Sequence, residues 1–170
     1  MSDQSHPSHD DHDDGGMATV RDLIGGVRTA MLTSVDLAGG LVSRPMAVQE
    51  VEFDGDLWFF SEADSPKVAN VQADPNVNVA FVKDSAWVSL KGQASLVYDV
   101  EKKKELWNAF AAAWFTAGPE DDEIVLLRVH AETAEYWDSP GGVGTGIAML
   151  KAKLTGGTPD AGENETVQLD

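Results

Sequence analysis

The chain contains no cysteine, which excludes a disulfide framework, a thiolate metal site and cysteine nucleophilic catalysis together. Nor is there an apolar run near the roughly 20 residues that a membrane-spanning helix needs. The first residues are rich in His and Asp, where an export signal would be basic and then apolar. The sequence therefore reads as soluble, unexported and cytoplasmic. Cations are scarce too, with 12 Lys and Arg against 29 Asp and Glu and a formal net charge of -17. Such a surface repels phosphate backbones and anionic lipid at long range, so neither nucleic acid nor membrane is expected as a partner. An anionic small ligand must rely on one of a few central cations: Arg28, Arg44, Lys67, Lys83 or Lys91.

What is present fits one domain of ordinary size, since 170 residues bury a core without staples. Residues 1–16 and 156–170 are polar and aperiodic and are expected to be disordered tails around a domain over 17–155. Thr19 to Val27 reads as a short helix capped by Thr19 and ended by Gly25-Gly26. Strands are expected over Arg28–Val35 and Leu41–Phe53, with Leu57–Ser61 as the hairpin partner of the second across Asp54-Gly55-Asp56. Ser65-Pro66 opens a two-turn helix that Asp74-Pro75 stops. Alternation marks two more strands, around Val77–Phe81 and Val88–Leu96. Glu101–Phe115 reads as one amphipathic helix with Lys102–Lys104 on its wet side. A last strand runs from Ile124 to Val129 and on towards Tyr136-Trp137. The class is mainly β: an antiparallel six-stranded, Greek-key-like barrel with flanking helices.

The stretch that could carry chemistry is Ser43-Arg44-Pro45-Met46, then Trp58-Phe59-Phe60-Ser61, then Ser65-Pro66-Lys67. A capped helix start offers free backbone N–H groups and the positive end of a dipole to an anion. Lys67 in the first turn opposes that dipole unless it faces an anion. Arg44 and the Ser61 hydroxyl come from strands that could reach the same place. The alternative is that Arg44 and Lys67 are solvated charges that interrupt edge strands.

The run SRPMAVQEVEFDGDLWFFSEADSPKVANVQADPNVNVAFV, followed by WVSLKGQASLV, resembles the pyridoxamine 5′-phosphate oxidase-like superfamily, and most of all its general stress protein branch. WNAFAAAWFTAGPEDDEIVLLRV and AEYWDSP extend the likeness over nearly all of Arg28 to Pro140. The resemblance implies a split barrel that binds flavin mononucleotide (FMN) at a two-fold homodimer interface. It implies that Arg44 and Lys67 hold the phosphate, with Ser61 and Ser65 as hydroxyl donors. Pro45, Met46 and Phe60 would line the ribityl chain and flavin, with Trp87, Trp114 or Trp137 completing the pocket from the other subunit. A redox protein exchanging electrons with a small molecule is then expected. The alternatives are a non-enzymatic flavin-binding stress module, or the same fold with deazaflavin F420 or haem.

Departures from the family oxidases are informative. They carry Ser-Arg-Lys where this chain has Ser65-Pro66-Lys67, a flavin-contacting Gln at the Trp87 position, and a basic C-terminal substrate motif that is missing here. Formation of pyridoxal phosphate is therefore not expected. His6, His9 and His12 among aspartates have metal-ligand chemistry but read as an acidic tail. Gly141 to Gly146 lacks the strand and Gly-Lys-Ser/Thr context of a phosphate loop. Ile147–Leu154 reads as a short covering helix, and His130 as structural.

Overall fold

A computed structural model describes residues 14–138 and 163–169. The N-terminal helix α1 (Asp14–Ile24) begins earlier than expected, so Gly15 and Gly16 belong to it rather than to a tail. Thr19 lies inside α1, where its hydroxyl donates to the Gly15 carbonyl at 3.0 Å instead of capping. Gly26, at φ 78°, turns the chain out of the helix.

Strand β1 (Thr29–Val35) turns through Asp36, whose Oδ1 accepts from the Ala38 and Gly40 amides, into β2 (Leu41–Ala47). The hairpin expected next does not form. Strand β3 (Asp56–Glu62) pairs instead with β6 (Ile124–Asp138), with Phe59 opposite Leu127. Trp58, Phe59 and Phe60 in succession need cover on both faces of the strand. Phe59 enters the main core, while Phe60 packs in a second cluster with Leu106, Ile124 and Leu126. A hairpin with the largely exposed β2 would leave one face wet.

Helix α2 (Pro66–Ala73) follows, then β4 (Asn76–Lys83) and β5 (Ala86–Val97), whose alternate residues Val77, Val79, Phe81, Val88 and Leu90 fill the core as the period of two requires. The sheet order is β2-β1-β4-β5-β6-β3, all antiparallel. Beyond Ala131, β6 bonds β7 (Glu163–Gln168), a seventh strand within the stretch expected to be disordered. Val167 and Leu169 reach the core there with the same period of two. One long strand thus carries β3 on its first half and β7 on its second, which splits the barrel.

The single helix expected over Glu101–Phe115 is two: α3 (Val100–Leu106) and α4 (Ala109–Trp114). Asn108 interrupts it, because its Oδ1 accepts from the Ala111 amide at 2.9 Å and caps α4 anew. Lys103, expected on the wet side, is 1% exposed. Its ammonium donates to the carbonyls of Asp121 and Ile124 at 2.8 and 2.9 Å, tying α3 to the start of β6. Among the described residues no helix is long and apolar enough to cross a membrane. The expected covering helix at 147–154, the 141–146 glycine loop and the 6–12 histidines lie outside the described residues.

Where β6 bulges at Glu132, opposite the Lys91–Gly92 step of β5, a Cβ on Gly92 would sit 2.0 Å from the His130 carbonyl oxygen. The obstacle is backbone, which cannot step aside. Gly92→Ala should lower the unfolding free energy by about 3 kcal/mol, in the range for overpacking a core. Urea unfolding measures this, and a midpoint equal to wild type would show that the bulge is not constrained.

Candidate functional site

The ends of three elements converge beside the β1–β2 edge. β2 supplies Pro45, Met46 and Ala47; β3 supplies Phe60 and Glu62; the first turn of α2 supplies Lys67. Opposite them, α4 presents Phe110, Ala111 and Trp114, with Phe115 just beyond it. Together with Thr29 and Gln49 they enclose a cleft of about 550 Å³. That volume is in the range of small-molecule sites, and the lining is mostly apolar with a few polar groups.

Arg44, Ser61 and Ser65 lie off this lining, next to its Lys67 end. Arg44 shares the inner face of its strand with Met46, opposite Leu32 of β1. Its Nη1 donates to the Ser34 hydroxyl at 3.4 Å, and Asn70 Nδ2 of α2 donates to the same oxygen at 3.4 Å. Both bonds are long. They nevertheless place the Arg44 strand and the Lys67 helix around one buried hydroxyl. Ser61 and Ser65 are buried, with their hydroxyl oxygens 3.0 Å apart, and Ser61 also donates to the Glu62 carbonyl. Their protons are therefore engaged within the chain, and donating to a ligand requires the hydroxyls to rotate.

Charge distinguishes this place from the rest of the surface. Of the 12 Lys and Arg, Lys151 and Lys153 lie outside the described residues. Arg21, Arg28, Lys91, Lys102, Lys104 and Arg128 sit within 4.0 Å of carboxylates, and Lys83 and Lys103 donate to carbonyls. Among the described residues only Arg44 and Lys67 have neither arrangement. They are also near each other. Burial lowers the Lys67 pKa below the usual lysine value, Glu62 opposes the shift, and the Arg44 charge adds to it. The backbone contributes as well: Pro66 has no N–H, the N-cap Ser65 makes no side-chain cap, and α2 opens towards the same region. Two cations with no carboxylate within 4.0 Å thus lie at an uncapped helix start on an acidic protein, an arrangement with the chemistry to hold an anion.

The aromatic residues separate into two groups. Trp114, 72% exposed, lines the same chain's cleft, its ring 6.2 Å from that of Phe110. Trp87 and Trp137 face each other in register across β5 and β6, partly exposed and outside the cleft lining. Phe60 lies edge-on to Trp107 at 5.2 Å and 6.1 Å from Phe115. His130 hydrogen-bonds Asp56 at 2.8 Å, away from the cleft.

Gln49, Phe110 and Phe115 were not legible as site residues in the sequence. Gln49 is buried, accepts from Asn108 Nδ2 at 3.0 Å and donates to the Ala47 carbonyl at 3.3 Å. The N-cap of α4 is thereby fastened to the end of β2. The one signal was Asn108 itself, a strong N-cap type inside an apparent helix.

Residues 15–160 match the model of a family described as pyridoxamine 5′-phosphate oxidase like. The crystal structure of a general stress protein 26 from Jannaschia sp. CCS1 is 30% identical, covering 90% of this chain and 99% of that one with a TM-score of 0.69. A general stress FMN/FAD binding protein from Xanthomonas citri is 27% identical, covering 74% of this chain and 90% of its own, with a TM-score of 0.64. Protein bli-3 of Neurospora crassa is 33% identical over 119 residues, which span 63% of this chain and 57% of that protein.

Because the folded state lowers the Lys67 pKa, the charged ammonium is disfavoured there relative to the unfolded chain. That penalty is complete below the lowered value and fades as pH rises from it to the ordinary 10.5. Lys67→Met should therefore stabilise the ligand-free protein at neutral pH, and its advantage should shrink through that alkaline window. Chemical unfolding at several pH values measures the difference. An advantage that grows with pH would contradict the site's electrostatics.

Proposed function

This chain belongs to the pyridoxamine 5′-phosphate oxidase-like family, in its general stress protein branch, and we propose that it is a flavoprotein holding FMN in the cleft between β2, β3 and α4. The observation that carries this reading is the pair of cations without a carboxylate, Arg44 and Lys67. They match a phosphate dianion, to which Arg44 offers a planar fork of donors and Lys67 a point charge. The start of α2 adds its dipole. Pro45, Met46 and Phe60, with Trp114 across the opening, provide apolar surface for the ring system. Gln49 and Asn108 hold α4 at its distance from β2. That the Xanthomonas citri relative is described as FMN/FAD binding supports a flavin.

Bound FMN supplies electron transfer with a small molecule, while the protein binds, orients and shields the group. The residues favour FMN over the alternatives. Deazaflavin F420 carries a longer anionic tail than two cations neutralise. Haem would find neither histidine nor cysteine in the lining. Trp87 and Trp137, paired on the exposed face of β5 and β6, suit the interface of a cytoplasmic homodimer. Pro66 stands where the pyridoxal phosphate-forming oxidases carry an arginine, so this reading assigns a redox role other than theirs.

FMN titrations followed by flavin fluorescence test the reading. Arg44→Ala and Lys67→Ala should each weaken binding by about 1.5–3 kcal/mol, the loss of one charged hydrogen bond. Unchanged affinity in both would place the phosphate elsewhere. Since an anion favours charged Lys67, FMN binding takes up a proton once pH exceeds the lowered Lys67 pKa. Affinity should fall with rising pH in that range, and the fall should disappear in Lys67→Arg, which does not titrate there. The same pH dependence in Lys67→Arg would assign it to another group.

A further inference from the structure

Resting on the flavin reading, we infer that the second molecule admitted to this cleft is an uncharged aromatic carbonyl compound of the quinone class, and not a phosphorylated or carboxylated one. The charge inventory carries this. Once a phosphate occupies Arg44 and Lys67, no other cation among the described residues lines the cleft, and Glu62 gives the remaining lining a negative charge. Every other described cation already meets a carboxylate or a carbonyl. The acidic surface lowers the local concentration of a second anion further.

What remains is aromatic. Phe110 stands exposed at the opening, 6.2 Å from the Trp114 ring given to the flavin, and Phe115 lines the same cleft. Large rings left in water beside a cleft mark a surface that takes an apolar ligand. A polar group is present too, and it donates. Gln49 is 6% exposed and lines the cleft; one proton of its Nε2 goes to the Ala47 carbonyl at 3.3 Å. The second proton has no partner among the described residues. A ligand oxygen that accepts without carrying charge, such as a quinone carbonyl, satisfies it. A carboxylate or phosphate would also accept, but the Glu62 charge in the same lining opposes it.

The experiment uses the full chain loaded with FMN, after a titration has shown that FMN binds. A naphthoquinone, its sulfonate and NADPH are compared by equilibrium dialysis, and the flavin difference spectrum reports whether the ligand lies beside the ring. The neutral quinone should bind about tenfold more tightly than the sulfonate, the scale of one like-charge contact near a protein surface. NADPH should bind no better than the sulfonate. In Glu62→Lys the preference should vanish or reverse. Sulfonate or NADPH binding as tightly as the quinone overturns the inference, as does an absence of quinone binding or an unchanged preference in Glu62→Lys. Failure of FMN itself to bind overturns the flavin reading, and this inference with it.

Discussion

Two positive charges held near one another, with no described carboxylate within 4.0 Å of either, are what the site is organised around. Arg44 and Lys67 repel each other, and burial penalises Lys67 further, so the ligand-free fold holds them at a cost. The cost is met by the scaffold. β1 and β2 fix Arg44 by seven cross-strand pairs, and Ser34 and Asn70 bring α2 against the same hydroxyl. A dianion at this helix start would relieve the repulsion between the two cations. Under the proposed function that dianion is the phosphate of FMN.

The rest of the architecture supports this arrangement from a distance. β6 bonds β5 along its length, gives one half of its free edge to β3 and the other to β7, and so sends β3 away from β2. Between the separated strands lies the opening that α4 covers. Buried Lys103 fastens α3 to the start of β6, and the Asn108–Gln49 bond fastens α4 to the end of β2. Neither anchor is an ion pair: one runs from the Lys103 ammonium to backbone carbonyls, the other between two side-chain amides. The aromatic wall is therefore positioned independently of the charges it faces.

Local rules made much of this legible. The Ser65-Pro66 helix start and the alternation in β4 and β5 follow from propensities that act within a few residues, and the structure keeps them. Arg44, Pro45, Met46, Phe60 and Lys67 followed from family resemblance; Pro45, Met46, Phe60 and Lys67 line one cleft, and Arg44 lies off its lining near Lys67. Features decided at longer range were hidden. The partner of β3 depended on which element could cover both of its faces. The burial of Lys103 depended on two carbonyls some 20 residues further on. The seventh strand depended on a free half of β6, and its only local trace was the alternation of Val167 and Leu169.

A comparison of FMN with riboflavin, which lacks only the phosphate, tests the central claim most directly. In the wild-type protein FMN should bind at least about 100-fold more tightly, the combined effect of two charged hydrogen bonds. In the double variant Arg44→Ala/Lys67→Ala the two affinities should converge, with riboflavin binding nearly unchanged. A preference for FMN that survives the loss of both cations would contradict the assignment of the phosphate to Arg44 and Lys67.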